Sequence, residues 1–344
     1  MIVLFSNRNV DVRKKTIRAF GNKPSNELNI CTATAKSSKW SIKHIDRADA
    51  INQLTAIRDN STNGKPWVFV VHGYNISFEQ NLNQLQGIAS KHDVNILAFS
   101  WPSKTKFKHF RFDKIRFADK YRASQKKAIV SAPMLHASLT LVNEVFTDQG
   151  TPVSILVHSL GNFVLKNMCE DPLLLPVLAR FGNVILSQAD VDYEGHQAWV
   201  SSIPCTGSRY VVTNWFDIVL SISNTINKVR LGQSIDHDPS NTIRYIDYTD
   251  AIGVGGEATH GAFKVSKEKN GDLHAFIYAA LRGDTNLPLN GFELIDDRNT
   301  YQILGRYGNE FGPATRVLGS RARRLHRLND HRRKGRAGHG NIYL

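Results

Sequence analysis

Ser154-Ile155-Leu156-Val157-His158-Ser159-Leu160-Gly161-Asn162 is an apolar run that ends in a serine flanked by histidine and followed by Leu-Gly. Ile155, Leu156 and Val157 read as the end of a buried strand, and the residues to Met168 as a helix. A serine on such a strand-to-helix turn projects from the sheet edge, and the backbone N–H of Leu160 turns toward the same space. The pair makes a nucleophile and half of an oxyanion hole, while Gly161 marks a close approach of helix to strand. The G-x-S-x-G pattern is incomplete, because Val157 stands where its first glycine belongs. Ser159 as a plain helix cap is the competing reading.

Outward from this stretch the chain alternates strands and helices. Upstream, Trp67-Val68-Phe69-Val70-Val71 is a continuous apolar run, predicted as a central parallel strand, and it ends in His72-Gly73-Tyr74-Asn75. Leu82, Leu85, Ile88 and Ala89 mark one face of a helix, and a strand over 94–99 delivers Ser100-Trp101-Pro102-Ser103. Leu135, Leu139, Val142 and Phe146 mark another helix, with Pro133 near its start. Downstream, strands are predicted over 184–187, 209–214 and 242–247, with helices through Ile222 and Ile226 and over 272–283. At the N-terminus, Ile2 to Phe5 reads as a strand, residues 11–20 as irregular or helical, 29–33 and 40–42 as short strands, and 48–58 as a helix. This rhythm implies a sheet covered on both faces.

The 344 residues carry a formal net charge of +14, and 41% of them are hydrophobic. Residues 104–127 hold ten Lys and Arg against Asp113 and Asp119, and residues 314–344 hold nine against Asp330. Each stretch is therefore +8, which leaves the rest of the chain slightly acidic. In 104–127 the cations alternate with Phe107, Phe110, Phe112, Phe117 and Tyr121, a pattern suited to a cap at 104–130 over a site. Both stretches suit an anionic surface or a protein partner, although no specific nucleic-acid motif accompanies them. No apolar run reaches the 18 or so residues of a transmembrane segment, and Cys31, Cys169 and Cys205 are too few for a disulfide framework. A cytoplasmic chain, peripheral at a membrane through its cations, is the expectation.

Serine needs a base, and the base must be histidine, whose neutral ring accepts a proton near physiological pH. His260, after the last clear strand, is the first choice, with His274 as fallback. His158 is expected to point away from the nucleophile and support neighbouring loops, and His72 to shape the oxyanion loop by hydrogen bonding. A carboxylate must then hold the imidazole. Asp217 is preferred because Ser, Asp and His then occupy successive strand ends; Asp190 is second and Asp192 third, and all three also suit helix caps. Tyr74 N–H complements Leu160 N–H at the oxyanion, and Gly73 leaves room for the substrate. No His, Asp or Glu cluster has metal-ligand spacing and no G-x-x-x-x-G-K-[ST] loop occurs, so neither metal nor cofactor is expected.

His72-Gly73-Tyr74-Asn75, Phe99-Ser100-Trp101-Pro102-Ser103, His158-Ser159-Leu160-Gly161-Asn162, Asp217 with Leu220-Ser221, and His260-Gly261 together resemble the α/β-hydrolase superfamily. More narrowly they resemble its bacterial branch of α/β hydrolases of unknown function, in that branch's order, over about residues 66–263. The resemblance implies a mostly parallel central sheet with helices on both faces, plus N- and C-terminal elaborations. It implies Ser159 as nucleophile, Asp217 as acid and His260 as base, with Trp101 among the supporting residues. The domain is expected over 1–310 with an appended region after 264, followed by a basic tail over 311–344.

The activity expected is that of a serine hydrolase, esterase- or lipase-like, acting through an acyl-enzyme on a small-molecule or lipid ester. A phospholipase of toxin or defence type is a special case of it. The alternative is a non-catalytic binding module on the same scaffold, recruited to anionic lipid or nucleic acid by its basic patches.

Overall fold

The computed structural model describes residues 1–303 except 12, 15, 37–38, 62, 106–113, 234–241, 253–256, 289–290 and 296–298. The N-terminal part consists of β1 (Ile2–Val10), β2 (Phe20–Lys36), β3 (Lys39–Ile45) and α1 (Ala50–Asp59). Next come β4 (Trp67–Val71), α2 (Phe78–His92), β5 (Asn95–Ser100), α3 (Lys114–Val145), β6 (Val153–His158) and α4 (Gly161–Cys169). The chain continues through β7 (Val184–Ser187), α5 (His196–Ser202), β8 (Arg209–Thr213), α6 (Ile218–Asn224), β9 (Ile243–Asp247) and α7 (Thr249–Ile252). It closes with α8 (Gly271–Arg282), β10 (Phe292–Ile295) and β11 (Thr300–Ile303).

All these strands form one sheet in the order β10-β11-β9-β8-β7-β6-β4-β5-β1-β2-β3. From β11 to β1 every neighbouring pair is parallel, and only β10, β2 and β3 run antiparallel to their neighbours. A parallel sheet must be covered on both faces, and β4 shows how. Trp67, Phe69 and Val71 enter one core with Leu135 and Leu139 of α3 and Val164 of α4. Val68 and Val70 enter the other, with Leu82 and Leu85 of α2 and Phe276 of α8. The two-residue period of the strand thus feeds two cores from one continuous apolar run.

Three elements differ from expectation. The strand expected at 29–33 is part of a 17-residue β2. Its first half, Gly21-Asn22-Lys23-Pro24-Ser25-Asn26-Glu27, lacks β-branched alternation because it lies near the sheet edge and packs little. Strands β10 and β11 were not anticipated; they add to the sheet beyond β9, so the described residues after 264 continue the main sheet. The helix expected to begin near Pro133 is one helix with the second half of the basic stretch, and Pro133 lies inside it. Pro133 and Ile129, whose carbonyl it leaves without a helical donor, are both exposed, where water can replace the bond.

By length and composition, the span Phe117–Gln149 is also apolar enough to cross a membrane. Its Tyr121, Ala128, Leu135, Leu139 and Val142 pack into the core. The proposed cap falls partly outside the described residues, since 106–113 are among those not described, as are 304–344 with the basic tail.

Candidate active site

Ser159 lies on a strand-to-helix turn between β6 and α4, and its surroundings show what holds that turn. Ser159 has φ of 53°, a left-handed conformation rare for a residue with a side chain, and it is nearly buried. The turn is held by Ser159 N–H to Ser187 O at 3.0 Å and by Asp190 N–H to Ser159 O at 3.1 Å. Asn162 Nδ2 donates to Val157 O at 3.1 Å and Ser159 O at 3.0 Å. A Cβ on Gly161 would lie 2.7 Å from His72 O and 2.9 Å from Val71 O, so glycine alone lets α4 reach the end of β4. Val157, at the position where the motif has glycine, is fully buried between Val71 and Leu186 in the sheet register.

Asp217 and His260 come to this turn from the ends of β8 and beyond β9. His260 Nδ1 lies 2.7 Å from Asp217 Oδ2, and His260 Nε2 lies 3.0 Å from Ser159 Oγ. A carboxylate oxygen only accepts, so Nδ1 carries the proton and Nε2 is free to accept from the serine hydroxyl. The other oxygen of Asp217 accepts the N–H of Leu220 at 3.0 Å and caps α6. The carboxyl group is fully buried with both oxygens engaged, which fixes its plane toward the imidazole.

The segment carrying His260 is pinned by side chains from six other places. Thr259 O accepts from Asn214 Nδ2 at 3.0 Å and Tyr248 OH at 2.9 Å. His260 O accepts from His158 Nε2 at 3.1 Å, and Phe263 O from His92 Nε2 at 2.8 Å. Ala262 N–H donates to Gln188 Oε1 at 3.2 Å, and Lys91 Nζ donates to Lys264 O. Burial, reinforced by the neighbouring His260 and Lys264, holds the His158 imidazole well below its usual pKa, and burial takes His92 down to about 4. Both rings are therefore neutral N–H donors. His274, the fallback base, meets Lys91 O at 3.0 Å and stacks on His92.

Facing the serine is the turn His72-Gly73-Tyr74-Asn75. A Cβ on Gly73 would lie 2.7 Å from the Ser159 Cβ, so the turn and the serine are in direct contact. Among the described residues no acceptor meets the backbone N–H of Tyr74 or of Leu160. Trp101 Nε1 donates to His72 O at 2.7 Å and stacks its indole on the His72 ring. His72 Nδ1 lies 3.0 Å from Gly73 O, and burial, with the charge of Arg8, lowers its pKa to about 3. Tyr74 packs against Phe117 and Tyr121 of α3, which puts an aromatic wall beside the turn.

The two alternative carboxylates are elsewhere engaged. Asp190 accepts from Ser223 Oγ at 2.7 Å and pairs with Arg230 Nε at 3.3 Å. Asp192 takes Arg230 Nη1 at 2.8 Å. Neither reaches His260, because Arg230 arrives from the loop after α6 and claims both. Arg230 and Ser223 were not singled out in the sequence, nor were Asn214, Tyr248 and Gln188, and Tyr121 was singled out only as part of the basic-aromatic stretch. Their signal lies in side-chain hydrogen bonds across 11 to 102 positions, which no local spacing displays.

Among the described residues no group of three or more His, Cys, Asp or Glu is arranged to hold a metal ion. A family model described as an alpha/beta hydrolase of unknown function matches residues 48–254. No curated protein matches the chain.

Proposed function

The chain belongs to a family of α/β hydrolases of unknown function, and on that premise we propose that it is a serine hydrolase that cleaves a carboxylic ester through an acyl-enzyme. The observation that carries this reading is the unbroken relay from Asp217 Oδ2 through His260 to Ser159 Oγ, with links of 2.7 and 3.0 Å, beside two unpaired N–H groups.

Ser159 Oγ attacks the ester carbonyl as His260 Nε2 takes its proton, and Asp217 holds the tautomer and favours the imidazolium. The carbonyl oxygen becomes an oxyanion, received by the N–H groups of Leu160 and Tyr74. As the tetrahedral species collapses, the C–O bond to the alcohol breaks and His260 returns the proton to the leaving oxygen. Water, deprotonated by His260, repeats the attack on the acyl-Ser159 ester and releases the carboxylic acid. The aromatic wall of Tyr74, Phe117 and Tyr121 suits an apolar acyl group, and a lipid-like ester is the substrate class we favour.

A fluorophosphonate probe tests the reading. One adduct on the wild-type protein and none on Ser159→Ala is the expected result, with short p-nitrophenyl esters hydrolysed by the first and not the second. Adduct formation that persists in Ser159→Ala would overturn the assignment.

A further inference from the structure

Arg8 is the anomaly of the fold. It lies on β1, outside the matched segment 48–254, and is fully buried. Among the described residues no carboxylate pairs with it. A lone buried charge is costly and persists only where other groups satisfy it. Its Nε donates to Ser100 Oγ at 3.1 Å, at the end of β5. Its Nη1 donates to Gly21 O at 3.2 Å and Asn22 Oδ1 at 3.0 Å, and its Nη2 to Ile76 O at 2.9 Å. Every acceptor is neutral, so the guanidinium keeps its full charge inside the protein.

Ile76 lies two residues after Tyr74 and ends the turn that faces Ser159. Its N–H donates to Ser103 Oγ at 3.0 Å, and its carbonyl also accepts from that hydroxyl at 3.3 Å. Asn75 sits in the left-handed region with φ of 57°, a conformation that tethering on both sides sustains. The same charge reaches the site electrostatically, since Arg8 contributes to keeping His72 neutral. The strand that brings Arg8 here pairs in parallel with β5, Ser6 against Ser100, and Ser6 Oγ donates to Ser100 O at 2.8 Å.

We propose that Arg8 is a positioning residue of the active site. Its planar fork fixes the turn that carries the Tyr74 N–H, and its uncompensated charge biases that side of the site toward the negative oxygen of the tetrahedral species. The inference rests on the serine-hydrolase reading above. It adds that the N-terminal strands, which the family match does not include, complete the oxyanion hole.

The test uses the full chain and a soluble short-chain ester. Arg8→Met removes fork and charge at similar length, and it should lower kcat by about 10²-fold, the cost of a slightly misplaced reacting group, with KM within about twofold. Arg8→Lys should recover part of that loss. Because a buried substitution can prevent folding, a second variant leaves Arg8 in place: Asn22→Asp sets a carboxylate beside Nη1 and neutralises the charge. Asn22 is only half-buried, so this variant should fold at least as stably as the wild type. It should nevertheless lose roughly 5-fold in kcat and in fluorophosphonate labelling rate, with KM unchanged. A merely structural Arg8 predicts wild-type kcat in Asn22→Asp, and that result, or full kcat in a folded Arg8→Met, overturns the proposal. Failure of the wild type to label at all would instead remove the hydrolase reading on which it rests.

Discussion

Asp190 and Asp217 follow neighbouring strands, β7 and β8, beside the same serine, Ser159, and each is buried. The backbone N–H of Asp190 even bonds the carbonyl of Ser159. Yet Asp217 meets His260, while Asp190 meets Ser223 and Arg230. What separates them is the segment that arrives opposite. The 3-10 turn Glu257–His260 brings an imidazole to one, and the loop after α6 brings a guanidinium to the other. Burial raises the pKa of Asp190, an effect that the charge of Arg230 opposes. The partner delivered to a buried carboxylate at a strand end thus decides whether it meets an imidazole or a guanidinium.

The sharpest way to break this contrast is to neutralise each carboxyl group in turn. Asp217→Asn should lower kcat by about 10⁴-fold, because the amide no longer enforces the Nδ1–H tautomer. Asp190→Asn should keep kcat within about tenfold in the folded fraction, since its side chain does not touch His260. Steady-state rates on a soluble ester, normalised to active sites titrated with the fluorophosphonate, make the comparison. Equal losses in the two variants would erase the distinction.

Stability should respond in the opposite order. Asp190→Asn leaves the Arg230 guanidinium, almost wholly buried, with Asp192 alone, whose side chain is 47% exposed. Breaking one side of a buried pair costs about 3–5 kcal/mol, so the urea midpoint should fall strongly at unchanged slope. Arg230→Met, which removes the charge and keeps apolar bulk, should cost less in Asp190→Asn than in the wild type, a coupling that a double-mutant cycle reads directly.

This contrast also marks how far the sequence could be read. Trp67–Val71 and Val184–Ser187 were legible to the residue, because strands buried on both faces are continuous apolar runs. Ser159 and Asp217 could be singled out because each closely follows such a run, and His260 because it comes after β9 in an order the resemblance made familiar. The preference for Asp217 over Asp190 was not forced by either residue, since both read as helix caps, and Asp217 does cap α6. Arg230 and Arg8 were invisible for the same reason. A cation becomes a site residue only when the chain folds over it, and Ser6-Asn7-Arg8 looks like a polar loop until β1 continues through it to Val10. Strands β10 and β11 escaped because four-residue segments such as Phe292–Ile295 and Thr300–Ile303, without a continuous apolar run, carry too little pattern.

Acid should loosen the side of the site that holds His260. His92 and His158 donate to its carbonyls as neutral rings, and His72 stacks beneath the facing turn. Their folded pKa values lie below the unfolded value of about 6.5: about 4 for His92, about 3 for His72, and well below for His158. Between pH 6.5 and 4 the unfolded chain therefore binds protons that the native chain refuses. Stability present above pH 6.5 is lost as pH falls, by roughly 1 kcal/mol per pH unit for each histidine. Urea midpoints at pH 7.5, 6 and 5 should fall steadily, and His92→Gln, which retains an N–H for Phe263 O, should flatten the slope by about a third. A slope unchanged in that variant would mean that His92 titrates as it does in the unfolded chain.

The smallest expected effect belongs to Tyr121, a residue of the basic-aromatic stretch that reaches the Asp190 network. Its hydroxyl lies 3.3 Å from Ser223 Oγ, whose own proton goes to Asp190, so the phenol is the donor of that contact, and its pKa is held well above the ordinary value, first by burial and then by Asp190. Tyr121→Phe keeps the ring against Tyr74 and Phe117 and deletes only the hydroxyl. Ser223 retains Asp190 as a partner, so no buried donor is orphaned, and the loss should be about 1 kcal/mol in unfolding free energy. If the network is a strut, kcat on a short ester stays at the wild-type value. If Tyr121 instead transmits to the turn it touches, kcat falls without a matching fall in stability, and the separation between the Asp190 and Asp217 sides of the site dissolves.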